Sequence, residues 1–268
     1  MKRQTGRWIG LLYYVVVLVF LQLPILLLIV FSFNDSTLLV FPLRGFTLEW
    51  YRQLLGATEL LHAARNSLVI GLVSSVVATG LGTMAAIAIA RFNFPGRAFF
   101  LNVATLPLVI PYVVLGVALL ILFQALGVQL SIWTIMIGHT IVNVPYVMLI
   151  VSARLSGFAN NLEEAAMDLG ATYWGTLMRV TLPISSPALV AAFLSSFTLS
   201  FDEFSLAFFL AGTQNTLPVY LYSQLRFPSR LPLAITTAAV VILISVAILL
   251  FSEWLRRIGQ GKPAKVQG

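Results

Sequence analysis

Two clusters of carboxylates stand out in a chain that has only nine acidic residues among 268. Glu163, Glu164 and Asp168 fall in LEEAAMDLG, and Asp202 and Glu203 fall in SFTLSFDEFSLAFF. The first cluster suits docking into a groove on another protein. The second lies in an apolar run, where a charge costs about 2.5–3.5 kcal/mol at mid-span and so marks a functional candidate. Asp202 and Glu203 can attract a cation, with Phe201, Phe204, Tyr220 and Tyr222 available as aromatic faces for it. Equally, the pair can end a helix and meet Arg226 or Arg230. Adjacent residues lie about 100° apart on a helix, so both acids do not point at one ligand.

Other chemistries lack their residues. Cysteine is absent, which removes disulfides, thiolate metal sites and cysteine nucleophiles. His62 and His139 lack ligand spacing, so no metal or cofactor is expected. There is no G-x-x-x-x-G-K-[ST], and GQGKP near the end has neither its spacing nor its hydroxyl, so the chain is not expected to hydrolyse ATP or to be an enzyme. An integral membrane enzyme would need a His, Asp or Glu cluster within its spans.

The surroundings of these acids are lipid-like. Hydrophobic residues make up 59% and charged residues 9%, against about 25% charged in a soluble domain. Mean hydropathy is +0.97. The fold expected is all-α, a single polytopic transmembrane bundle over residues 1–268. Six apolar blocks reach the roughly 20 residues a span needs, at about 9–33, 66–90, 99–125, 130–152, 186–210 and 233–255. The first is too long for a signal-peptide core of about 7–15 residues, and no A-x-A follows it, so it reads as a retained span.

The net charge of +7 sits at the edges of these blocks, where it sets topology instead of binding nucleic acid. With both termini in the cytoplasm, Arg44, Arg52, Arg65, Arg226 and Arg230 fall outside and the other eleven of sixteen basic residues fall inside. The loop at about 155–184 is then cytoplasmic. Between spans one and two, FTLEWYRQLLGATELLHAARNS reads as an amphipathic interfacial helix, with Trp50 and Tyr51 in the headgroup zone. It serves either as a brace or as a plain anchor. Pro107, Pro111 and Pro145 should kink their spans, as hinges or as static bends. Gly80, Gly82, Ala85 and Ala86 allow close helix approach. Asn102, Gln124, His139, Asn143 and Gln224 can line a path or make ordinary interhelical hydrogen bonds.

Within the loop, Leu162, Ala165, Ala166 and Leu169 fall at i, i+3, i+4 and i+7, one face of a helix. Asn160 or Asn161 can cap its start, and Glu163 and Glu164 suit its first turn. Gly170 sits where a C-capping glycine belongs. Thr172 can cap a second helix, YWGTLMRV, that Leu182-Pro183 should end. Small alanines flanked by acids form a docking face, or else a cover for the bundle's mouth.

Glu164-Ala165-Ala166, Gly170 and Val180-x-Leu182-Pro183 resemble the EAA---G---------I-LP signature of permease subunits of binding-protein-dependent ABC importers, with Val180 in place of isoleucine. The resemblance implies that the loop is a coupling helix seated in a cytoplasmic ATPase, with Glu164 pairing to a basic group. It also implies a second similar permease as heterodimer partner, two ATPase subunits, an external substrate-binding protein, and a prokaryotic inner-membrane location. FSFN, GFTLEWY, SFDEF and NTLPVYLYSQLR resemble spermidine/putrescine permeases, specifically the second of their two subunits. Permeases for opines, aminophosphonates and ferric iron share parts of these patterns. An ion-coupled secondary transporter, with Asp202 and Glu203 as coupling site, is the reading from another class.

Overall fold

The computed structural model describes residues 2–37, 40–157 and 161–259, with side chains from residue 10 to 254 within those ranges. Asn160, offered above as a cap, lies outside them, as do Lys262 and Lys265, two of the eleven basic residues expected inside. Among the described residues the chain is helical, with one isolated antiparallel bridge between Asn34 and Phe46. It divides into two compact units, residues 1–61 with 221–244, and residues 62–220 with 245–268.

The first unit opens with α1 (Lys2–Phe31). Residues 10–26 are all exposed despite being almost entirely apolar, which fits a helix whose solvent is lipid. The chain then turns back on the end of α1. Trp50 Nε1 donates to the Asn34 carbonyl at 2.9 Å, and the Ser32 and Tyr51 hydroxyls share a hydrogen bond of 2.7 Å. The amphipathic helix is therefore shorter than its pattern suggests. It covers only α2 (Glu49–Gly56), and the remainder of that segment belongs to α3 (Thr58–Arg91). Trp50 and Tyr51 brace the turn after α1 through these bonds. This unit also holds the end of α11 (Leu217–Gln224) and the first half of α12 (Leu231–Gly259).

The second unit is built around α6 (Ile132–Ser156), 61% buried over its apolar window against 33% for α3. One core cluster gathers Ile70, Phe123, Ile135 and Leu206, and another gathers Ala78, Ala86, Val147 and Leu155. Of the small residues proposed for close approach, Gly82 meets that role. A Cβ there would lie 2.8 Å from the Val144 carbonyl oxygen and from the Val147 side chain. Gly80 faces open space. Gly82→Val should therefore lower the melting temperature of the detergent-purified chain, at an overpacking cost of about 1–3 kcal/mol, while Gly80→Ala should not.

Among the described residues five helices are long and apolar enough to cross a bilayer, and a bent pair makes six if it crosses as one span. That pair corrects the continuous span expected at 99–125. The chain breaks between α4 (Arg97–Val109) and α5 (Tyr112–Ala125) with a bend of 104°. Pro111 causes it, because it lacks an N–H and forces Ile110 into the extended region at φ −74°, ψ 129°. Pro107 and Pro145 lie inside helices that continue through them.

The second correction concerns Leu182-Pro183, which ends nothing. Helix runs from α8 (Tyr173–Thr176) through a π turn (Leu177–Thr181) into α9 (Leu182–Phe201). Pro183 falls in the first turn of α9, where a missing N–H is tolerated after the widened π turn. The span expected at 186–210 is in turn interrupted at residues 202–204, before α10 (Ser205–Leu210).

Candidate functional site

The first candidate is the elbow formed by α7 (Asn161–Asp168) and α8. Gly170 turns the chain at φ +91°, a conformation that favours glycine. The Gly170 N–H donates to the Met167 carbonyl at 2.9 Å and the Ala171 N–H to the Ala166 carbonyl at 3.0 Å, closing the end of α7. Thr172 caps α8, accepting from the Gly175 N–H at 3.1 Å.

The predicted coupling residues separate into two faces. Glu163 points inward and is 9% exposed. Arg91, the last residue of α3, places Nε 2.9 Å from its Oε2 and Nη2 3.0 Å from its Oε1. The Thr181 hydroxyl donates to the same Oε1 at 2.8 Å. Glu164, Ala165, Asp168, Gly170 and Pro183 are exposed, while Ala166 and Leu182 are half-buried. Leu162 and Leu169, half-exposed and 90% exposed, extend the outward face. The apolar stripe at i, i+3, i+4 and i+7 thus faces away from the chain's own core.

The second candidate is the α9–α10 break. Asp202 is the C-cap of α9, is exposed, and accepts from the Ser245 hydroxyl at 3.0 Å. Glu203 has a side chain 7% exposed. It accepts the Leu206 N–H at 3.0 and 2.9 Å and the Ala207 N–H at 3.2 Å, capping α10. His139 Nε2 lies 3.4 Å from its Oε2. The network continues from His139 Nδ1 to the Ser200 hydroxyl at 2.6 Å and on to Ser74 at 3.0 Å. The pair therefore does end a helix, but its partners are Ser245 and His139. Arg230 lies over the Phe227 ring and donates to Gln224 at 2.8 Å.

Phe201 and Phe204 flank the break, stacked on Phe197 at 5.7 Å and tilted against Phe208 at 5.4 Å. Tyr220 is buried. Tyr222 is exposed and belongs to the first unit. Of the polar candidates, His139 and Asn143 are buried, the latter reaching the Ser196 carbonyl at 3.4 Å. Asn102 and Gln124 are exposed.

A cavity of about 570 Å³ is bounded by α6, α9 and α12 and lined by Tyr146, Ser195, Ser252 and Glu253 among others. That volume suits a small ligand. Ser195 precedes Asp202 by about 10 Å of helix rise, and Val246, beside Ser245, also lines the cavity. Glu253 escaped the sequence reading, although an acid within the last apolar span was signal enough to find it.

Comparison with known proteins places this architecture. The family of binding-protein-dependent transport system inner membrane components matches residues 78–258. The spermidine/putrescine transport system permease protein PotC of Escherichia coli (strain K12) is 34% identical over 239 residues, covering 89% of this chain and 90% of that one. The putrescine transport system permease protein PotI of the same strain is 37% identical over 244 residues, 88% of this chain and 85% of its own. Among solved structures, a bacterial ABC transporter that imports the acidic polysaccharide alginate superposes with a TM-score of 0.73 at 18% identity, over 96% of this chain and 97% of that one. The inward-facing MetNI methionine ABC transporter does so with a TM-score of 0.57 at 16% identity, over 80% and 98%. This chain, whose described residues include five or six helices long and apolar enough to cross a membrane, belongs to the family of inner membrane components of binding-protein-dependent transport systems.

Proposed function

We propose that this chain is one of two similar permease subunits of an ATP-driven importer, and that its cargo is a polyamine. The observation that carries the first half is the exposed face of the α7 elbow. Glu164, Ala165, Asp168 and Leu169 point outward from a loop that Glu163 fastens from behind. Such a face, small at its centre and acidic at its edges, suits the groove of a cytoplasmic ATPase. In this reading both termini and the elbow are cytoplasmic, two ATPase subunits and a second permease complete the complex, and an external binding protein delivers cargo. The chain itself carries no catalytic group.

The polyamine assignment rests on the 34–37% identical relatives named above and on the exposed Asp202 carboxylate at the end of α9. The buried His139–Glu203 pair favours a second reading, a proton-coupled carrier. Proteoliposomes holding the chain with its partner permease, ATPase and binding protein separate the two. Radiolabelled putrescine should enter only with ATP, stop with vanadate, persist with a protonophore, and be competed by spermidine but not by an aminophosphonate. Uptake that survives ATP depletion and collapses with the protonophore selects the carrier instead.

A further inference from the structure

We infer that Glu163 is a positioning residue, a latch that ties the α7 elbow to the membrane helices and carries its displacement into them. This rests on the elbow being the attachment point of the ATPase.

The geometry is specific. Arg91 ends α3, and besides gripping Glu163 it donates Nη1 to the Leu155 carbonyl at 3.4 Å, near the end of α6. Thr181 closes the π turn that leads into α9 and donates to the same carboxylate. One carboxylate and one guanidinium therefore connect α7 to the ends of α3 and α6 and to the start of α9. Both side chains are nearly out of solvent, Arg91 13% and Glu163 11% exposed.

A buried ion pair contributes little net stability over a well-packed apolar isostere. Stability alone therefore does not account for placing two charges here. What the pair supplies is discrete geometry. An apolar contact between α7 and α3 can slide, whereas a two-pronged guanidinium–carboxylate contact either holds its register or breaks. A displacement of α7 that leaves the pair intact must take α3, α6 and the π turn with it. The π turn is a natural place for α9 to absorb or transmit that shift, since such turns sit where a helix departs from its regular register. Glu163 thus does for the interior what Glu164 does for the partner.

The test compares Glu163→Gln, Arg91→Gln and the double variant in the full complex. Three quantities are read: ATPase retained on purification, ATP hydrolysed per putrescine imported, and hydrogen exchange of residues 161–170. Each single variant should retain the ATPase, raise ATP used per cargo about fivefold or more, and speed exchange by about tenfold. The double variant should be no worse than either single one, because the two residues act as a unit. Arg91→Lys keeps the charge without the fork and should restore exchange protection only in part, which keeps the test open if a glutamine variant fails to fold. Loss of the ATPase from Glu163→Gln but not from Arg91→Gln would make Glu163 a docking group and overturn the latch, as would a wild-type coupling ratio in both. If the wild-type complex shows no ATP-driven putrescine uptake, the polyamine-importer reading fails, and unchanged exchange in the variants then rejects the latch independently.

Discussion

Glu164→Ala should release the ATPase from the purified complex and abolish ATP-driven uptake while leaving the chain itself as stable as before. The side chain is exposed, and among the described residues it makes no contact that holds the fold, so truncation costs the isolated chain under about 0.5 kcal/mol. In the complex its carboxylate would be desolvated against a basic group. Removing one partner of such a pair costs about 2–5 kcal/mol, much of it for the cation left buried and alone. That is about 30-fold or more in affinity. Ala165→Trp should do the same by bulk, since its methyl lies at the centre of the outward face. Retention of the ATPase on affinity purification, with a thermal melt of the chain alone as control, reads both effects. Normal assembly and transport by Glu164→Ala would remove the elbow from the coupling path. Asp168 supplies a smaller check. It is the last residue of α7, where the helix dipole disfavours an anion, so Asp168→Asn should leave the chain's melt unchanged or raise it slightly.

The elbow was legible because its signals are local. Helix period, a capping glycine and a capping threonine each act within one or two helical turns, and Gly170 and Thr172 stand as their types predict. What separated Glu163 from Glu164 was not local. It depended on Arg91, 72 positions away, reaching the end of α3 beside the π turn. The breaks in the bundle were partly legible. Pro111 announced the α4–α5 bend as a kink but not its 104°. Pro183 predicted an end that the π turn removes, because propensity rules assume a regular α-helix on the upstream side. The fate of Asp202 and Glu203 turned on two partners in other helices, Ser245 and His139, which composition and spacing do not link to them.

Those partners make the second large prediction. Asp202→Asn should keep the fold and lose the cargo, whereas Glu203→Gln should lose the fold first. An asparagine at 202 still offers an oxygen to the Ser245 hydroxyl, now 3.0 Å from the carboxylate, so the melt should move little. It no longer carries the charge that a protonated amine would seek. A hydrogen bond to a charged group is worth about 1.5–3 kcal/mol, so putrescine uptake at limiting concentration should fall about tenfold to a hundredfold. Glu203 is committed elsewhere. Its two oxygens accept the Leu206 and Ala207 N–H groups and lie against His139, all out of solvent. A glutamine must turn its NH₂ toward one of these donors, leaving a buried group unsatisfied at about 1–3 kcal/mol. Thermal melting of the purified chain, alongside uptake in proteoliposomes, reads both variants. If Glu203→Gln melts as wild type and loses uptake while Asp202→Asn transports normally, the functional acid is the buried one. The His139–Ser200–Ser74 chain behind it would then be part of the path, and the proton-coupled reading would gain the residue it needs.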